Sequence, residues 1–156
     1  MSEASTMPTI TPCLWFDNQL EEAIAFYGDI FPDTAIIEAT RHANGKLFVA
    51  TFRLAGRDFM GLNGGPMFAF TEAISLSVAC RDQAEIDGYW SALGEGGTIQ
   101  QCGWVKDRYG LSWQVVPAIL PKMMNDPDRE RSSRVQAAVM GMVKLDIAEL
   151  EKAFAG

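Results

Sequence analysis

A strand-to-helix junction recurs in this chain, first at Asn18 and again 64 positions later at Asp82. In both copies a short apolar run precedes the junction residue and a glutamine follows it. A glutamate stands three positions after the junction residue, at Glu21 and Glu85. Asn or Asp followed by Glu at that spacing is typical of a capped helix N-terminus. The repeat predicts two copies of one supersecondary unit, and the seam of such a duplication is a common place for a ligand.

Each copy is predicted to form a strand, a helix and three further strands. In the first copy, residues 9–64, the Asn-Gly pair at 44–45 supplies the tight turn that joins two of these strands. The predicted elements, in chain order, are 10–16, 19–31, 34–41, 47–54 and 58–63. The Gly-Gly-Pro segment at 64–66 then interrupts regular structure and is interpreted as a linker.

The second copy, residues 71–117, repeats this order and is followed by a helical tail, residues 118–156. The predicted elements of the second copy are 73–80, 83–93, 98–102, 104–107 and 111–116. In the tail, Asp146 and Glu149 again match the capping pattern and predict a final helix. The tail has an apolar stripe that needs a partner surface, which is either its own domain or a second subunit.

Length and charge limit the function classes. The 156 residues fit one domain, and 48% hydrophobic with 21% charged residues is typical of a globular protein. The net charge of −7 argues against a nucleic-acid partner, because phosphate binding needs a concentrated basic surface. No apolar run reaches the roughly 20 residues of a membrane span. We therefore expect neither nucleic-acid nor membrane partners.

Cysteine usage and the N-terminal residues predict the compartment. Three cysteines, at 13, 80 and 102, match no zinc or CxxC spacing, and their odd number argues against a disulfide framework. The first residues lack the basic-then-apolar pattern of a signal peptide. These features predict a cytoplasmic protein.

Five sequence blocks carry a resemblance to a known family. They are Cys13-Leu-Trp-Phe-Asp, Ala25-Phe-Tyr, Leu62-Asn-Gly-Gly-Pro, Gln101-Cys-Gly-Trp and the segment 106–117. Over residues 9–154 the chain resembles the PhnB-like branch of the vicinal-oxygen-chelate superfamily (glyoxalases, bleomycin-resistance proteins and dioxygenases), often labelled the 3-demethylubiquinone-9 3-methyltransferase family. The resemblance implies one α+β domain, residues 1–156, in which two tandem βαβββ modules form a curved mixed sheet around a cavity, with C-terminal helices.

The resemblance also indicates where metal-dependent members hold their metal. Those positions fall here on Thr11 (or its neighbour on the same face, Cys13), Asn63, Ser75 and Gln114. None is His, Asp or Glu, the imidazole and carboxylate donors that such a divalent metal prefers. We therefore predict no tightly bound transition metal and no other cofactor.

The sequence also bears on three other kinds of site: a methyltransferase cofactor site, a reactive thiol and a catalytic histidine. The glycine cluster at 94–97 follows a predicted helix, whereas most methyltransferases bind S-adenosylmethionine at a glycine-rich turn that follows a strand. A reactive thiolate needs a nearby histidine, cation or helix N-terminus, whereas Cys13 lies within a predicted strand and Cys102 beside a glycine turn, so both are interpreted as inert thiols. The single histidine, His42, is interpreted as a solvated residue of the hairpin. No catalytic residue is assigned.

The candidate ligand-binding residues combine one aromatic ring with a thiol and small neutral hydrogen-bonding groups. They are Cys13, Trp15, Asn63, Ser75, Ser112 and Gln114. Such a lining suits an aromatic or amphiphilic small molecule and lacks an acid–base pair for proton transfer.

Three functions stay open at this point. The first is a metal-free small-molecule-binding protein. The second is an enzyme of the superfamily, as a lyase, a dioxygenase or the methyltransferase of the family label. The third is a non-catalytic dimeric interaction protein. A homodimer is expected.

Overall fold

The structure, a computed structural model, describes residues 6–156, which divide after Ala69 into two compact units. The fold is mixed α+β, with two tandem βαβββ modules followed by C-terminal helices, as predicted. The elements are β1 (Cys13–Phe16), α1 (Leu20–Ile30), β2 (Ala35–Arg41), β3 (Leu47–Leu54), β4 (Arg57–Asn63), β5 (Ser75–Cys80), α2 (Gln83–Gly94), β6 (Thr98–Ile99), β7 (Trp104–Lys106), β8 (Ser112–Pro117), α3 (Leu120–Met124), α4 (Arg129–Met140) and α5 (Ile147–Ala155).

In the first unit, α1 packs on one face of a four-stranded sheet with strand order β1-β4-β3-β2. β1 runs parallel to β4, and the other neighbours are antiparallel. Alternation along β1 buries Leu14 and Phe16 in the core, where Leu20 and Tyr27 of α1 are also fully buried.

The start of α1 differs from the prediction. Asn18 is not the N-cap, because the helix begins one residue later and Gln19 occupies that position without a side-chain capping bond. The side chain of Asn63, at the end of β4, accepts the hydrogen bond from the Leu20 backbone N–H at 2.9 Å. A residue 43 positions away therefore does the capping, which local spacing could not indicate.

In the second unit, α2 packs on a sheet with strand order β5-β8-β7-β6, and β5 is parallel to β8. Here the predicted cap is confirmed: Asp82 accepts a 2.9 Å hydrogen bond from the Glu85 backbone N–H. β6 is shorter than predicted and ends at Ile99. The chain turns at Cys102 and Gly103, whose φ angles of 60° and 82° interrupt extended structure.

The tail packs within the second unit, which is the first of the two arrangements considered from the sequence. Its helices bury a cluster of Leu120, Met123, Val135, Leu145 and Leu150. Backbone hydrogen bonds join the loop after α4 to the turn before β7, from the N–H groups of residues 102 and 103 to the carbonyls of residues 142 and 143, at 2.8 and 2.7 Å.

None of the helices in residues 6–156 combines the length and the apolar character needed to cross a bilayer.

Candidate functional site

One face of the second sheet gathers three of the predicted site residues. Strand pairing places Ser75 opposite Ser112, and Gln114 opposite both Ser77 and Trp104. Paired residues on neighbouring strands point to the same side of a sheet. The alternate residues of β8, such as Trp113, are buried on the side of α2. We call the opposite side, with Ser75, Ser77, Trp104, Lys106, Ser112 and Gln114, the polar face of the second sheet.

A side-chain hydrogen bond orients Gln114 on this face. Its Nε2 donates to the Ser75 Oγ at 2.9 Å, in a half-buried position. The amide oxygen of Gln114 makes no hydrogen bond within the described residues, so it can accept one from a ligand.

Ser112, two residues before Gln114 in β8, has a fully buried side chain. Its residue exposure is 0%, and its Oγ has no hydrogen-bond partner in the described part of the chain. A buried hydroxyl without a partner costs about 1–3 kcal/mol, and such groups are rare in folded proteins. A polar ligand atom or an ordered water would satisfy it.

Three members of this face, Ser77, Trp104 and Lys106, were not among the residues predicted from the sequence. Lys106 lies opposite Ser112 in β7 and forms an ion pair with Glu72, which lies in the turn before β5. The pairing of β7 with β8 would have indicated Trp104 and Lys106. The alignment of so short a strand is set by the tertiary fold and not by a local pattern.

In the first unit, Cys13 and Trp15 share a face but Asn63 does not. β1 pairs with β4 so that Phe16, a core residue, is opposite Asn63, whose side chain therefore lies on the side of α1. The amide of Asn63 is also occupied, since its Nδ2 donates to the Leu47 carbonyl at 2.9 Å while its Oδ1 caps α1. The structure thus does not bring Asn63 together with Cys13 and Trp15.

The ring of Trp15 is held by the segment that follows β4. Its Nε1 donates to the Gly65 carbonyl at 3.0 Å, and Phe68 contacts the ring edge-on with centroids 4.9 Å apart. Gly64 lies directly against the indole, where an added Cβ would come within 2.4 Å of two ring carbons. Trp15 therefore offers apolar surface and no free hydrogen-bond donor.

A pocket of about 570 Å³ opens beside the start of α1. The residues that line it include Asp17, His42, Lys46 and Asn63. His42 is exposed, as predicted, and its ring lies 4.7 Å from that of Phe48. The pocket carries charges of both signs.

The thiols of Cys13 and Cys80 are not activated. Partial desolvation raises the pKa of the Cys13 thiol, although the residue is largely exposed, and burial raises the pKa of Cys80 to about 11, with help from the charge of Glu85. The thiolate is the nucleophilic form, so a raised pKa lowers reactivity at neutral pH.

The donor set does not fit the metal of the superfamily. Of the four positions implied by the resemblance, Asn63 is committed to two backbone hydrogen bonds and Gln114 is bound to Ser75. The fourth, Thr11, contributes a neutral hydroxyl, and such groups offset little of the cost of dehydrating a divalent ion. Within residues 6–156, no three side chains of His, Cys, Asp or Glu come together as a metal-binding group.

Comparisons with known proteins agree with this architecture. The family model described as 3-demethylubiquinone-9 3-methyltransferase matches residues 8–116. A solved structure of a PhnB protein from Bacillus cereus, described with the same methyltransferase name, is 33% identical, with a TM-score of 0.65; the match covers 70% of this chain and 99% of that chain. A search of curated proteins gives no match.

More distant solved structures show the fold alone. Protein PA1353 from Pseudomonas aeruginosa is 20% identical, with a TM-score of 0.57, over 71% of this chain and 98% of its own. The fosfomycin resistance protein FosX from Listeria monocytogenes is 16% identical, also with a TM-score of 0.57, over 76% of this chain and 97% of its own. The family match ends at residue 116, so the tail lies outside it, although the sequence resemblance was expected to extend to residue 154. This chain belongs to the 3-demethylubiquinone-9 3-methyltransferase family, which includes the PhnB protein of Bacillus cereus.

Proposed function

We propose that this protein binds a small aromatic or amphiphilic organic molecule on the polar face of the second sheet, without a metal ion. The observation that carries the proposal is the unpartnered, buried Ser112 hydroxyl beside the Gln114–Ser75 hydrogen bond. A hydrogen-bonding ligand would satisfy Ser112 and use the free amide oxygen of Gln114.

Trp104 supports an aromatic ligand. It is half-buried and lies opposite Gln114, so ring and amide are neighbours on one face. An aromatic surface with a few fixed polar groups is the usual composition of a small-molecule site.

Methyl transfer, which the family description names, is less well supported. The glycine cluster expected for its cofactor lies at the end of α2, where the Gly97 N–H donates to the Gly94 carbonyl at 3.0 Å. A helix C-terminus presents carbonyl groups, whereas the phosphate- and cofactor-binding turns of doubly wound folds open a helix N-terminus.

A thermal-shift screen of aromatic metabolites tests the proposal, with Gln114→Ala as the site variant. Gln136→Ala is a matched control, because Gln136 Nε2 donates to Ser132 Oγ at the same 2.9 Å distance, but in the tail. Compounds that raise the Tm of the native chain should lose their effect in Gln114→Ala and keep it in Gln136→Ala. Equal shifts in all three proteins would contradict the proposed site.

Native mass spectrometry of the purified protein tests the metal and the subunit number together. The proposal expects a metal-free mass. The homodimer predicted from the sequence stays a prediction, and the same spectrum measures it. Stoichiometric zinc, nickel, iron or manganese would contradict the proposal that the protein binds its ligand without a metal ion.

A further inference from the structure

The polar face of the second sheet has a single charged member. Among its strand residues, Lys106 alone is ionic, while the others carry hydroxyl, amide, apolar or aromatic side chains. The Lys106 side chain is 29% exposed, so most of its surface is withdrawn from water. A partly desolvated cation favours a bound anion more strongly than a fully hydrated one.

An internal carboxylate already holds that cation. Glu72 pairs with the Lys106 Nζ, and the Glu72 side chain is 52% exposed. Glu72 lies in a turn outside the sheet, in which the Ala73 N–H donates to the Thr71 Oγ1 at 3.3 Å. It can therefore leave Lys106 by a rotamer change, without breaking any strand pairing.

Lys106 is also close to the unsatisfied hydroxyl. It is the β7 residue opposite Ser112, and both point to the polar face. A carboxylate that reaches Lys106 can accept from the ammonium group and, with its second oxygen, from Ser112. Glu72 leaves the Ser112 hydroxyl without a hydrogen bond, so the internal carboxylate satisfies only part of this site.

We propose that the ligand of this face carries a carboxylate, and that Glu72 is a displaceable internal counter-ion which the ligand carboxylate replaces on Lys106. This inference rests on the proposed function and adds to it the chemical class of the ligand: an aromatic carboxylic acid. Ring contact with Trp104 and ionic contact with Lys106 then lie on neighbouring residues of the same face.

The test uses pairs of probes that differ only in the anionic group: benzoate with benzamide, phenylacetate with phenylacetamide, and cinnamate with cinnamamide. Dissociation constants are measured by calorimetry. In the native chain at least one carboxylate should bind about tenfold or more tightly than its amide, the size of a charge-assisted hydrogen bond. Lys106→Met should remove this preference, and Lys106→Arg, which keeps the charge, should retain most of it.

Glu72→Gln gives the most discriminating result. Loss of the internal competitor should tighten carboxylate binding by about threefold, the scale of an exposed ion pair, and leave amide binding unchanged. The Asp87–Lys144 ion pair, 2.8 Å long and in the same unit, supplies the controls Asp87→Asn and Lys144→Met, which should change neither constant.

The outcomes separate the two claims. Equal binding of carboxylate and amide in the native chain, with Gln114→Ala still abolishing both, overturns the carboxylate assignment and leaves the proposed function standing. Weaker carboxylate binding in Glu72→Gln would overturn the role of Glu72. Binding that is insensitive to Gln114→Ala, or no binding by any probe or screened metabolite, contradicts the proposed function and this inference with it.

Discussion

The carboxylate of Asp107 accepts a 2.9 Å hydrogen bond from the indole nitrogen of Trp113. Its other oxygen accepts from the backbone N–H groups of Tyr109 and Leu111, at 2.9 and 3.1 Å, and the residue is 2% exposed. Three donors thus hold a buried carboxylate at the turn between β7 and β8. Because this turn sets the pairing of the two strands, it determines which side chains share the polar face with Gln114.

We expect Asp107→Ala to lower the free energy of unfolding by about 3 kcal/mol or more, because it removes the acceptor of three hydrogen bonds, two of which are buried. Urea denaturation measures this loss. Asp29→Ala, an exposed carboxylate near the end of α1, is the control and should change stability by less than about 0.5 kcal/mol. Similar stability of the two variants would show that Asp107 does not organise the turn.

Asn63 should behave as a structural residue. Asn63→Ala removes the cap of α1 and the bond to the Leu47 carbonyl, and we expect a loss of about 1–2 kcal/mol. Asn63→Asp keeps an acceptor for the Leu20 N–H and should recover part of that stability. Thermal denaturation followed by circular dichroism compares the variants. An alanine variant as stable as the native chain would argue against the capping role.

The native thiols of Cys13 and Cys80 should react slowly with iodoacetamide at pH 7. Burial raises the pKa of Cys13 and Cys80, so the thiolate fraction of each falls below that of a free cysteine, and Cys80 is also fully shielded. Raising the pH toward 9 should speed modification of Cys13, because its thiolate fraction rises. Mass spectrometry after timed quenching reports each site, and urea-unfolded protein is the reference. Rapid labelling of native Cys13 at pH 7 would revive a covalent function.

Gln83 should control the attachment of the tail. Its Nε2 donates to the Leu145 carbonyl at 3.0 Å, and its Oε1 accepts from the Ile147 N–H at 2.8 Å. Gln83→Ala should lower the local opening free energy of α5 by about 2 kcal/mol, which speeds amide hydrogen exchange there roughly 30-fold. Exchange in β3 of the first unit should not change and serves as the internal control. Unchanged exchange in α5 would contradict the anchoring role.

The architecture could be predicted from the sequence because it depends on local patterns and their repetition. The spacing around Asp82 identified a real helix cap, and the two copies form the same order of elements. The strand ends were less accurate, since β1 begins at Cys13 and not at residue 10. Alternation alone does not define where pairing starts.

The candidate site could be predicted only in part, because side-chain direction depends on long-range strand pairing. Ser75, Ser112 and Gln114 were expected together and lie on one face. Asn63 was placed with Cys13 by analogy with the metal-binding positions, but the alignment of β1 with β4 turns it toward α1. A shift of one residue reverses the face of every side chain in a strand, and no local signal reports it.

The glutamines at the two repeated junctions have acquired different partners. Within residues 6–156, the side chain of Gln19 reaches only the backbone N–H of Asn18, at 3.5 Å, whereas both ends of the Gln83 amide hold the tail. A duplication begins with two equivalent positions, and here one of them has become the anchor for an extension that the family match does not include. The two modules are therefore no longer interchangeable: a chimaera with two first modules would keep a glutamine at this position, but at the N-cap of its helix and not, like Gln83, as the first helical residue.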